Sequence, residues 1–178
     1  MTGRFLKKLY VFDFDDTLVK TDARVRVTRA TGEELTLTPR EFIEFRGESG
    51  DSFDFSQFDV LINPREIEWT CDIARGVYTK HGPNALSVLT ARGSHHPVQQ
   101  FLYNIGTPGA EVAAIGTSDP AAKASWIDKK IVAHGVNHVE FFDDSHCNVN
   151  AVKALQKRHP NVRIVTRHIV HRSPAYRK

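Results

Sequence analysis

The 178-residue chain has only two cysteines, Cys71 and Cys147, and neither has a CxxC partner. That excludes a disulfide scaffold and points to a reducing, cytoplasmic setting. No run of about 20 apolar residues occurs, so no membrane-spanning segment is expected. Lys7 and Lys8 precede a short apolar run, but Asp13 interrupts it, which argues against a signal peptide. Internal repeats and low-complexity tracts are absent as well. What remains is ordinary: 40% hydrophobic and 25% charged residues, the composition of a globular chain. The length fits one domain over 1–178 that can bury roughly 70% of its unfolded surface, so no disulfide or metal is needed for folding.

Acidic residues are missing from one stretch. Residues 151–178 hold eight Lys/Arg and no Asp/Glu, so they carry +8, while the other 150 residues carry −5. A basic end on an acidic body suits contact with a polyanion such as nucleic acid. A solvated tail would have the same composition, and charge alone leaves both readings open. Arg167, His168, His171, Arg172, Arg177 and Lys178 lie beyond the last expected strand and are the candidate contacts.

Apolar runs rich in branched and aromatic residues predict strands at Leu9–Phe14, Ala85–Leu89, Ala110–Ile115, His138–Phe142 and Val162–Val165. Between them lie helical patterns. Pro64–Lys80 places Ile67, Ile73, Ala74 and Val77 roughly on one face, and Pro97–Asn104 precedes the third strand. Residues 119–134 begin with Asp119 as cap and Pro120 at the first helical position, and 145–158 cap on Ser145. Strands alternating with helices predict an α/β fold, a three-layer Rossmann-like parallel sheet. One stretch breaks the rhythm. Arg24–Thr38 alternates with period two and turns at Thr31-Gly32, a hairpin, and an irregular segment, Phe53–Asn63, follows it. This is read as a flap and small insertion over about 19–63, projecting beyond the sheet edge where such folds bind ligands.

Function should therefore be sought at the strand ends. The first strand ends in Asp13-Phe14-Asp15-Asp16-Thr17. Asp13 and Asp15 leave the sheet on one side, and two close carboxylates need a cation or a shared proton. A bare DxD is also a common polar turn, and the glycine and distal glutamate of an EF-hand are missing. The fourth strand ends in Phe142-Asp143-Asp144-Ser145. Two acidic strand ends at one edge of a parallel sheet make an all-oxygen cluster suited to Mg²⁺. The second strand ends in Leu89-Thr90-Ala91-Arg92, where a hydroxyl, a guanidinium fork and turn N–H groups suit a phosphate. Lys123 lies one turn into the third helix and could reach the same edge, with Lys129 and Lys130 as competitors. No HExxH is present, and His95-His96 sit in an apparent loop. Phe53, Phe55 and Phe58 suit either base stacking or a local core under the insertion.

Taken together, VFDFDDTLV at 11–19, LTAR at 89–92, Lys123 and FFDDS at 141–145 resemble the motifs of the haloacid dehalogenase-like hydrolase superfamily, in its order and on alternating strands and helices. The resemblance covers about 9–150. FFDDS with Asn148 behind it is also similar to small members proposed for nucleic-acid end repair. The resemblance implies Asp13 as a nucleophile forming an aspartyl-phosphate and Asp15 as general acid and base. It implies Thr90 and Lys123, with Arg92 beside them, at the phosphoryl oxygens. Mg²⁺ would be held by Asp13, the Asp15 carbonyl and Asp143, with Asp144 close by or through water. Asp15 is what the phosphatases of that superfamily have and its dehalogenases lack. The expectation is a Mg²⁺-dependent phosphomonoesterase with a reduced cap, acting on a polynucleotide end or nucleotide. A small-metabolite phosphatase and a non-catalytic binding module of the same fold are the alternatives.

Overall fold

A computed structural model of the chain describes residues 7–171. Ten strands and five helices follow one another: β1 (Lys8–Phe12), β2 (Val19–Lys20), β3 (Val25–Thr28), β4 (Glu34–Leu37), α1 (Pro39–Glu44), β5 (Ser52–Asp54), β6 (Arg65–Glu66), α2 (Glu68–His81), β7 (Leu86–Thr90), α3 (His96–Asn104), β8 (Glu111–Ala114), α4 (Pro120–His134), β9 (His138–Asp143), α5 (His146–Arg158) and β10 (Arg163–His168). Five of the strands form one parallel sheet in the order β10-β9-β1-β7-β8, the α/β three-layer architecture expected.

Alternation along β1 divides the interior into two layers. Tyr10, Phe12 and Phe14 pack with Cys71, Ala74 and Val77 of α2 and Val98, Phe101 and Leu102 of α3. Leu9 and Val11 point the other way, to Ala124, Ile127 and Ile131 of α4 and Val152 of α5. Such a period-two division over two helical layers is what a central strand of a doubly covered sheet requires. Phe12 stacks on Phe142 of the neighbouring strand with ring centres 4.3 Å apart. Truncating a buried ring of this kind costs about 3–5 kcal/mol.

Helix starts follow their local chemistry. The Asp119 side chain accepts from the N–H of Ala121 ahead of Pro120, and the Ser145 hydroxyl accepts from the N–H of Asn148. Ile67, Ala74 and Val77 are buried as expected, and Ile73 diverges from their face. Thr70, Cys71, Ala74 and Val77 are buried along α2, whereas Ile73 is 37% exposed. Residues 65–66 are also not helical as expected. They pair antiparallel with Val19–Lys20, and the Ile67 N–H bonds the Leu18 carbonyl, so a long-range ladder delays the helix to Glu68.

The hairpin forms as read, with its turn closed by Arg29 N–H to Glu33 O and by Gly32 at φ +86°, a left-handed conformation that favours glycine. β5 then adds to β3, making a three-stranded antiparallel sheet β4-β3-β5. Thr38 ends the hairpin by starting α1 through a reciprocal capping box with Glu41. Phe53 and Phe55 pack edge-on against Phe42, so the insertion carries its own small aromatic core.

Candidate active site

Sheet order places the ends of β9, β1 and β7 side by side. Phe12 is level with Phe142, so Asp13 and Asp143 leave the sheet together, and the Asp13 N–H donates to the Phe142 carbonyl at 2.8 Å. Behind Asp13 the chain makes one tight turn, in which the Leu18 N–H bonds the Phe14 carbonyl and Asp16 takes φ +59°. That turn aims the Thr17 hydroxyl back at Asp13 Oδ2, 3.2 Å away.

Lys123 is the lysine that reaches this edge; Lys129 is exposed, and Lys130 pairs with Glu111. Side chains on a helix lean toward its N-terminus, and Lys123, in the first turns of α4, leans toward the strand ends. It is buried and donates to Asp13 Oδ1 at 2.6 Å and to Asp143 Oδ2 at 2.8 Å. Burial alone would lower the lysine's pKa, but the two carboxylates hold it above its ordinary value. Asp143 is fully buried and further fixed by the Ser145 N–H and the Asn148 side-chain amide, which reaches both carboxylate oxygens at 3.0 Å.

Asp13, Asp143 and Asp144 each bring a carboxylate oxygen within 4.8 Å of the others. Burial raises the Asp13 carboxyl well above the carboxylate range; Lys123 opposes the rise, and Asp143 and Asp144 add to it. Asp144 is pushed up to about 6, by burial first and then by Asp143 and Asp16. Asp16 is raised too, by burial and then by Asp15. One lysine thus faces three clustered carboxylates, an excess of negative charge that adds to burial in favouring the protonated forms of Asp13 and Asp144. A hard divalent cation would relieve that excess, and an all-oxygen donor set fits Mg²⁺. Among the described residues, this is the cluster of metal-binding side chains; His95 and His96 only start α3.

Asp15 goes elsewhere. Both its carboxylate oxygens accept from Arg92 at 2.8 Å, a bidentate fork. The Arg92 side chain is 1% exposed, and its remaining bonds go to the carbonyls of Phe58 and Val60. The guanidinium carbon sits 5.3 and 5.4 Å from the ring centres of Phe14 and Phe58. The expected phosphate contact at Arg92 therefore needs correcting. Its donors are spent on Asp15 and on the insertion, so it is a strut between the two. The Asp15 side chain likewise lies outside the carboxylate cluster. Thr90 is buried two residues past the level of Phe12, and its hydroxyl accepts from the Arg92 N–H at 3.1 Å.

Sequence reasoning missed the return of the chain after β10. The Ile169 N–H bonds the Asp143 carbonyl, His168 Nε2 donates to the Asp144 carbonyl at 2.9 Å, and His171 Nε2 donates to the Asp16 carbonyl. No local pattern marks these contacts, which depend on β10 running parallel beside β9. Thr17 stands inside the quoted first motif, so its hydroxyl was visible there. Half of the basic segment lies in α5 and β10, with Arg158 paired to Asp128 and Arg167 near Glu140. Arg172, Arg177 and Lys178 lie outside the described residues.

Comparison with known proteins gives no support from likeness: no family model matches the chain, and no curated protein or solved structure matches it.

Proposed function

We propose that the chain is a hydrolase of phosphoric monoesters working through an aspartyl-phosphate. The observation that carries this reading is the buried triad in which Lys123 bridges Asp13 and Asp143, with Asp144 beside them, at the carboxyl edge of a parallel sheet. A strand-end carboxylate buried against a lysine suits a nucleophile, and a cation one bond away suits the charge of a phosphoryl group in transfer. The resemblance of the four motifs to the haloacid dehalogenase-like superfamily points the same way.

In this reading Asp13 Oδ attacks phosphorus, an Asp13–phosphorus bond forms, and the ester P–O bond breaks. Asp15 gives a proton to the leaving oxygen. It then takes one from the water that attacks the aspartyl-phosphate, releasing phosphate and restoring Asp13. For either transfer, one of the two Asp15–Arg92 hydrogen bonds must open. Lys123 and the Thr90 hydroxyl hold phosphoryl oxygens. Asp13, Asp143, Asp144 and the Asp15 carbonyl would hold Mg²⁺, which when bound supplies electrostatic stabilisation of the transferring group.

The finer assignment is to a polynucleotide end or nucleotide, supported by the small insertion in place of a long cap and by the basic segment over 151–178. The test is phosphate release from p-nitrophenyl phosphate with Mg²⁺ and with EDTA, followed by phosphorylated oligonucleotides and nucleotides. Turnover that requires Mg²⁺ is expected; no release from any of these esters contradicts the reading.

A further inference from the structure

α5 covers one face of β10, but α2 does not reach across the other, and a groove of about 400 Å³ opens there. Trp69 and Ile73 of α2 form one wall; Phe142 and Glu140 of β9 form the floor; Arg167 and Ile169 close the far side. Two features set it apart from a packing defect. Trp69 is 51% exposed and, among the described residues, stacks on no ring. The groove also borders the main chain that carries two of the clustered carboxylates. His168 lines it while bonding the Asp144 carbonyl, and Ile169 lines it while its N–H bonds the Asp143 carbonyl.

The lining selects an occupant. An exposed indole beside Phe142 in the floor offers a stacking platform for a planar ring. The Glu140 carboxylate in the floor repels an anion and accepts from an amino group, so a phosphate does not belong at the bottom. Arg167 has a side chain 57% exposed and pairs with Glu140 through one nitrogen at 3.6 Å, which leaves its other N–H groups accessible to an anion at the rim. A base inside and a phosphate outside describe one link of a nucleic-acid chain. The strongly basic segment that supplies Arg167 and His168 has the matching charge.

We infer that this groove binds a single-stranded polynucleotide, with a base on Trp69 and a backbone phosphate at Arg167. The placement of the strand's phosphorylated end at Asp13 rests on the phosphomonoesterase reading; the groove itself does not.

Trp126→Phe leaves Trp69 as the sole tryptophan, so its fluorescence reports the groove. Titration with an unphosphorylated single-stranded oligonucleotide, a mononucleotide and inorganic phosphate should quench it with the oligonucleotide, at least about tenfold tighter than with the mononucleotide. Measured by anisotropy of a labelled oligonucleotide in the native chain, Trp69→Ala should weaken binding roughly five- to a hundredfold, the loss of one stacked base, and Trp69→Phe should recover most of it. Arg167→Gln should lower the slope of log affinity against log salt by about one. No quench, or equal affinity for mononucleotide and oligonucleotide, overturns the inference. Mg²⁺-dependent hydrolysis of p-nitrophenyl phosphate is measured in parallel. Hydrolysis without oligonucleotide binding overturns the groove alone; binding without hydrolysis of any phosphate ester overturns the phosphatase reading and leaves the groove standing.

Discussion

Replacing Asp144 with asparagine should make the metal-free protein more stable, although Asp144 belongs to the candidate metal site. Its carboxyl is half-buried beside Asp143 and Asp16 and titrates near 6, where an unperturbed one titrates near 3.8. The folded pKa is raised, so the folded state holds this proton more tightly than the unfolded chain does. The resulting stability is fully present below about pH 4 and is lost as pH rises through about 6. Above that, the ionised carboxylate costs the fold about 2–3 kcal/mol, at 1.36 kcal/mol per pKa unit. An amide of the same shape carries no charge and avoids this cost. In EDTA at pH 8, Asp144→Asn should therefore exceed the native chain by about 2 kcal/mol, worth roughly 2–4 °C in Tm per kcal/mol at this chain length. At pH 4 the two should coincide. Mg²⁺ should reverse the order, stabilising the native chain more than the variant. Urea unfolding from pH 4 to 8, with EDTA or Mg²⁺, measures all of this. If Asp144→Asn in EDTA at pH 8 is no more stable than the native chain, the crowded-carboxylate account is wrong.

Lys123→Met should destabilise the fold by about 3–5 kcal/mol at pH 8, since it strands two buried carboxylates, and adding Asp13→Asn should recover part of the loss; a loss below about 1 kcal/mol in urea unfolding contradicts the bridging role. The loss should shrink as pH falls, because the raised Asp13 carboxyl takes up a proton more readily than an ordinary one. Arg92→Lys keeps the charge but loses the fork. It should cost about 1–3 kcal/mol and speed proteolysis within residues 56–60, and unchanged cleavage would remove Arg92 as the strut. Beryllofluoride with Mg²⁺ imitates a phosphoryl group on Asp13, and at a hundredfold excess over its Kd should add about 2.7 kcal/mol of stability. No rise in Tm at millimolar complex argues against a formed phosphoryl site.

Much of the sheet was legible because its strands announce themselves locally. LYVF and HVEFF are short apolar runs between turn signals, and Asp119-Pro120 and Ser145 mark their helices without outside help. The acidic strand ends were legible for the same reason, since parallel strands bring their carboxyl ends to one edge. What escaped depends on distant pairing. Arg65–Glu66 carries a helix-like pattern until Val19–Lys20 takes it into a ladder. Ile73 fits a helical core face, yet β10 is an edge strand and nothing among the described residues closes over it, so the residue lines a groove. Arg92 looked like a phosphate fork because its two consumers, Asp15 and the carbonyls of Phe58 and Val60, lie far from it in sequence. Lys123, nearer the helix start, is the favoured candidate over Lys129 in the sequence, and the turn of α4 in space brings it to the strand ends.

The central claim is that Asp13 is the nucleophile, and the most direct test is turnover by Asp13→Asn. With Mg²⁺ present and the fold verified, kcat for a phosphate monoester should fall at least about a thousandfold, because an amide cannot form the covalent phosphoryl intermediate. Native-like turnover by a purified, metal-replete Asp13→Asn protein would contradict the account.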